Sequence, residues 1–186
     1  MSLHLISPPA EEPVSLAEMK EHLKVTHGDE DALLLRLQRA ARRAVEARAS
    51  LALVSQRWRY ALDRAPINAI VLPRSPLLSL DEVSVVRRDG TAEPVDPALY
   101  EVEMGGRGRL LLHGAVPWSG RALGQVRIDF TAGWPDAANV PQELKLAINM
   151  IVAHFYENRD GAAVERVFST PKALESLIGP YLELRL

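Results

Sequence analysis

The sequence contains no cysteine. That excludes a disulfide framework, a thiolate zinc site and a cysteine nucleophile, and it suits a reducing cytoplasm. Lysine is nearly as scarce, with 4 of the 22 basic residues against 18 arginines. A GC-rich genome produces that bias as readily as a preference for rigid forked ion pairs at interfaces. An excess of charge is missing too: 24 acidic residues leave a formal net charge of -2. Such a balance argues against a protein that coats nucleic acid, because phosphate binding depends on a basic surface. No stretch approaches the ~20 apolar residues that cross a bilayer. The start, MSLHLISPPAEEP, has neither the basic residues nor the apolar core of a signal peptide. A soluble intracellular product is the expectation.

What is present is enough for a compact core. The chain has 186 residues, 47% hydrophobic and 25% charged. A domain of this size buries roughly 70% of the surface of its unfolded chain, so it folds without staples.

Residues 1–13 carry Pro8, Pro9 and Pro13 before any periodic pattern begins, and they read as an extended arm. Ser15 and Glu18 have capping-box spacing, and Leu16, Met19 and Leu23 recur at helical spacing, which predicts a helix over about 15–25. Asp29, Glu30 and Asp31 open a second helix to about 49, with negative charge where the macrodipole favours it. Its predicted apolar face runs through Leu33, Leu34, Leu37, Ala40, Ala41, Ala44 and Val45. Arg36, Arg39, Arg42 and Arg43 are expected on the other side, with Glu46 closing the row. That stripe is a solvated face, a contact surface for a partner subunit, or a DNA contact.

From residue 53 the period changes to two. Val54, Gln56, Trp58, Tyr60 and Leu62 fall on one strand face, and Arg57 and Arg59 on the other, away from Trp58. Ile70 to Leu72 reads as a short strand ended by Pro73, and Leu80 to Arg87 as another. Asp89-Gly90 is a hairpin turn signal. Further strands are predicted near 92–95, 98–103, 109–113 and 125–131. Arg107 and Arg109 sit in a glycine run without the Lys-Ser/Thr ending of a phosphate loop, which gives a flexible hairpin tip or an arginine loop reaching a partner. Pro141, at the first turn, opens a long amphipathic helix to about 158. Residues 162–186 include ALESLIGPYLEL, a second apolar segment. Helices and about seven strands are segregated along the chain, which predicts an α+β fold with a mostly antiparallel sheet.

Nothing in this pattern assembles a reaction. The five histidines are scattered, and none makes a metal-binding pair on one helix. There is no nucleophile elbow, and Ser119-Gly120 reads as a simple turn. No enzyme, metal or cofactor is expected.

Taken in order, VSLAEMKEHLKV (14–25), Asp29-Glu30-Asp31, Gln56-Arg57-Trp58, LPRSPLLSLDEV (72–83), YEVE (100–103), VRIDFTAGW (126–134) and VPQELKLAINMIVAHFYENRDGA (140–162) resemble the siphophage head–tail connector (adaptor) family, which includes adaptors of gene transfer agents. ARASLALV (47–54) departs from that pattern, lacking a Thr-Gly turn. The resemblance implies an N-terminal arm (1–13), a connector domain (14–162) and a C-terminal docking tail (163–186). It further implies a ring of about twelve subunits under the portal vertex, with two different complementary patches on each subunit. The implied location is the head–tail junction of a virion or phage-like particle assembled in the bacterial cytoplasm.

On this reading the partners are other copies, the portal protein and a stopper or tail-proximal protein. Packaged DNA passes through without sequence-specific binding, and no membrane is involved. The tail residues Phe168, Leu174, Leu177, Ile178, Tyr181 and Leu182 are the expected docking set, since a solvated tail would not need them. Arg36, Arg39 and Arg43 are the expected subunit or portal contact, and Arg107 and Arg109 the channel or partner loop. The alternatives are a stopper or tail-completion protein, a DNA-binding module and, more remotely, a hydrolase.

Overall fold

A computed structural model of the chain describes residues 1–64, 68–113, 123–158 and 172–182. The chain divides into two compact units, Met1–Ala10 with Val54–Pro135, and Glu11–Leu53 with Asp136–Leu186.

The first unit is built of strands: β1 (Ser2–Ser7), β2 (Gln56–Leu62), β3 (Ile70–Val71), β4 (Leu77–Val86), β5 (Ala92–Pro94), β6 (Tyr100–Glu103), β7 (Arg109–Leu112) and β8 (Val126–Ala132). One antiparallel sheet has the order β1-β2-β8-β4-β5, and a smaller one β3-β7-β6. Trp58 pairs with Phe130, which pairs in turn with Leu80. Strand alternation puts all three on one face, where Ile128, Phe130, Val126 and Val83 are almost fully buried. The polar face carries a linked charge cluster. Asp129 accepts both Nε and Nη2 of Arg59 at 2.7 Å, and Arg57 Nε donates to Asp81 at 3.0 Å. The alternation that separated these arginines from Trp58 holds. The Arg74 guanidinium lies 5.0 Å over the Trp58 ring, supplying a cation–π contact.

The β4–β5 hairpin turns at Asp89-Gly90, with Gly90 at φ 93° and Arg87 N donating to Thr91 O at 2.8 Å. The first two residues of the segment expected as a strand at 98–103 belong to a single 3-10 turn, Pro97–Leu99, where Asp96 accepts from Ala98 N at 2.9 Å.

The second unit is helical: α1 (Leu16–Leu23), α2 (Asp31–Ala49), α3 (Gln142–Glu157) and α4 (Lys172–Ile178). The capping box forms, with Glu18 N donating to Ser15 Oγ at 3.2 Å and Ser15 N to Glu18 Oε2 at 2.6 Å. Met19, Leu34, Ala41, Val45, Leu144, Ala147, Ile148, Val152 and Ile178 make its core. Pro141 sits one position earlier than expected, as the N-cap of α3. Where the family pattern would place a Thr-Gly turn, Ser50 takes the left-handed C-cap of α2 at φ 57°.

Two expectations change. Residues 1–13 are not a free arm. Ser2–Ser7 is a strand of the larger sheet, held antiparallel to β2 with Leu5 opposite Trp58. Residues 11–14 are fastened to the helical unit. Glu11 Oε1 accepts from Ala137 N at 2.7 Å, Glu12 pairs with Arg42, and the Gln38 amide donates to Val14 O. Proline spacing hid this because an edge strand and an extended arm share one backbone conformation. The second change concerns α2. Its buried positions are Leu34, Gln38, Ala41, Arg42, Val45, Glu46 and Ala49, so Ala40 and Ala44 are exposed while Arg42 and Glu46 are inside.

Candidate functional site

The described residues contain no group of histidine, aspartate or glutamate side chains able to hold a metal ion. Nor is any of their helices long and apolar enough to cross a membrane. What the molecule offers is surfaces.

The first is the outer face of α2. Arg36, Arg39 and Arg43 are all exposed there, interspersed with the exposed Ala32, Ala40, Ala44 and Ala47. The helix has only two carboxylates, Asp31 and Glu46. Asp31 is taken by Lys20 at 2.8 Å, and Glu46 is buried, so neither neutralises the stripe. None of the three arginines makes an ion pair with another described residue.

Directly beneath lies a network that sequence reasoning assigned to the surface. Arg42 Nε donates to Glu12 Oε2 and Arg42 Nη1 to Glu46 Oε2, both at 2.8 Å, and Glu46 Oε1 accepts from Leu53 N at 3.0 Å. The available signal was the i, i+4 Arg-Glu spacing, together with a core period that passes through 38, 42 and 45–46.

The tail residues divide. Leu174 and Ile178 are buried in the helical unit, where α4 packs on α3. Leu177, Tyr181 and Leu182 are half-buried and keep accessible apolar surface. Burial, with Glu143 nearby, raises the Tyr181 phenol above its ordinary value. Phe168 lies outside the described residues.

Arg109 is exposed and pairs with Glu103 across the β6–β7 hairpin at 3.2 Å, while Arg107 is half-buried. The expected flexible tip is tied down. Leu77 N donates to Gly106 O at 3.1 Å and Leu72 N to Gly108 O at 2.9 Å. A Cβ on Gly108 would sit 2.1 Å from Leu77 Cδ2, so only glycine lets the loop approach β4 this closely.

Among curated proteins none matches the sequence. A family model for head completion proteins matches residues 12–169. Among solved structures, a chain in the neck of an empty gene transfer agent particle, computed with C6 symmetry, is 30% identical with a TM-score of 0.84. A chain from the virion of a native gene transfer agent particle gives 30% and 0.83, and one from a native neck computed with C12 symmetry gives 30% and 0.81. Each match covers 100% of this chain and 97% of the other. An α+β chain with one tied loop, one arginine face and a partly seated tail helix, aligned end to end with neck chains, defines a head–tail structural component. The chain belongs to the head completion protein family.

Proposed function

We propose that this chain is a head–tail connector (adaptor) subunit of a tailed phage or phage-like gene transfer agent particle. It forms a ring of about twelve copies beneath the portal vertex, since a closed ring of identical subunits needs only one repeated head-to-tail contact. The ring extends the DNA channel and presents a docking face to the next tail component. Its role is structural rather than enzymatic.

The observation that carries this reading is the end-to-end match to neck chains at 30% identity, with 97% of the neck chain covered. A shared domain alone would have left part of one chain unmatched. Packaged DNA crosses the ring without being read, in keeping with a net charge of -2. A stopper or tail-completion protein is the second reading, favoured by the head completion family model.

Within this reading the tail, residues 163–186, docks on the portal or an adjacent subunit. Leu177, Tyr181 and Leu182 supply its contacts, because Leu174 and Ile178 are already engaged by α3. Arg107 and Arg109 form a rigid rather than a mobile partner loop.

Electron microscopy of particles made with and without the gene tests the assignment. Particles lacking the chain should accumulate as filled heads without tails, and complete particles should show it as a ring next to the portal. A position further down the tail would favour the stopper reading. Intact particles without the chain would overturn both.

A further inference from the structure

The arginine face of α2 has no ion-pair partner among the described residues, and the same chain carries a surface with exposed carboxylates. Between α1 and α3 of the helical unit lies a groove of about 330 Å³. Glu18, Glu21, Gln142, Leu146 and Asn149 line it together with His22 and Lys145, the lysine close enough to act on Glu18 electrostatically. Glu18 and Glu21 are exposed on α1. Only one oxygen of Glu18 is used in the capping box, and hydrogen bonding to Ser15 holds its carboxyl below the ordinary value, so it stays ionised. Asn149 Oδ1 is shielded from solvent and accepts no hydrogen bond from any described residue. Leu146, 43% exposed, gives the groove an apolar floor.

The groove thus offers two exposed carboxylates beside an apolar patch, with a single lysine, Lys145, on the same wall. That set suits a guanidinium, which carries five donors and an apolar stem. It involves no residue of α2. Arg36 and Arg39 on α2 and Glu18 and Glu21 on α1 share the same three-residue spacing, a rise of about 4.5 Å along each helix. The exposed alanines between the arginines let a facing helix approach closely.

We propose that the occupant of this groove is the α2 arginine face of a second copy of this chain, with Arg36 and Arg39 reaching the exposed carboxylates of Glu18 and Glu21. The two surfaces are different residue sets on one subunit. Repeating the contact therefore propagates head to tail, as a ring requires, instead of stopping at a two-fold dimer. This inference rests on the ring reading above and gives that ring its repeated contact.

The absence of native cysteine makes a direct test available. The full chain carrying both Arg39→Cys and Glu21→Cys is assembled into particles, oxidised and run on a non-reducing gel. The expected result is a ladder extending beyond dimers, while each single variant stops at dimers at most. Particles that contain the chain but give no ladder overturn the contact and leave the ring reading intact. Chain missing from wild-type particles overturns the ring reading, and this inference with it. A ladder that ends at dimers shows a two-fold contact and also overturns the proposal.

A charge swap supplies the second readout. Arg39→Glu should lower incorporation into particles at least tenfold, and adding Glu21→Arg should restore it to within about twofold of wild type. Glu21 is used because Glu18 also caps α1. Failure of the second change to rescue a folded Arg39→Glu protein would count against the pairing.

Discussion

Arg42 and Glu46, one turn apart on α2, form an ion pair at 2.8 Å with both side chains no more than 6% exposed. Glu12 closes the pair from the other side and Leu53 N satisfies the second oxygen of Glu46. The pair therefore ties the chain before α1 and the chain after α2 to one helix. Removing one partner leaves the other charge buried, which costs far more than the pair itself contributes. Arg42→Met should destabilise the protein by about 3–5 kcal/mol. The double variant Arg42→Met/Glu46→Leu should lose less than the sum of the two single changes. Urea unfolding of the three variants measures this, and additive losses would show that the charges act separately.

The β6–β7 loop gives a prediction of a different kind. Gly108→Ala places a methyl within 2.9 Å of three Leu77 side-chain atoms. Overpacking of this sort costs about 1–3 kcal/mol. Truncation by Leu77→Ala removes two of the three close atoms, including the nearest, so the double variant should be less destabilised than the two single losses added together. Thermal unfolding of the set checks it. An unperturbed Gly108→Ala protein would mean that the loop moves freely off β4.

These two sites show where the sequence was readable and where it was not. Local rules resolved the capping box at Ser15 and Glu18, the Asp89-Gly90 turn, and the separation of Arg57 and Arg59 from Trp58, because each depends on neighbours within four residues. The order of motifs carried the family. Nothing local distinguishes Arg42 from Arg43, however. Their burial differs because Glu12, thirty residues earlier, reaches only one of them. Strand β1 was missed for the same reason, since its partner β2 lies fifty or more residues away. The tight Gly108 approach depends on Leu77, likewise distant in sequence. The candidate surfaces were legible as residue types, while which of those residues are free required the fold.

Acid should act on α1 through Glu18. Its carboxyl is held low by the Ser15 backbone and hydroxyl hydrogen bonds, so the folded state favours the ionised form. The contribution is complete above the unfolded value near 4.5 and is lost as pH falls through the folded value. Because Glu18 is exposed, solvent limits the effect to about 0.5 kcal/mol. Glu18→Gln keeps the acceptor but cannot titrate. Its stability should trail wild type at pH 7 and converge on it as the pH falls through the lowered folded value. A constant gap across that range, in paired melts, would remove the carboxylate from the account.

The tail yields a separation between folding and docking. Leu174 is 8% exposed against α3, so Leu174→Ala should cost about 2–3 kcal/mol and lower the melting temperature. Leu177 is half-buried on the same helix, and Leu177→Asp should leave the melting temperature within a few degrees of wild type. If residues 163–186 dock on the portal or a neighbour, Leu177→Asp should nonetheless abolish joining of heads to tails. Deleting 165–186 cannot make this distinction, because it strips α3 of Leu174 and Ile178 as well as removing the docking residues. Particle titre and melting temperature measured on the two point variants separate the roles. A Leu177→Asp chain that melts normally and still joins heads would confine the tail to its packing on α3.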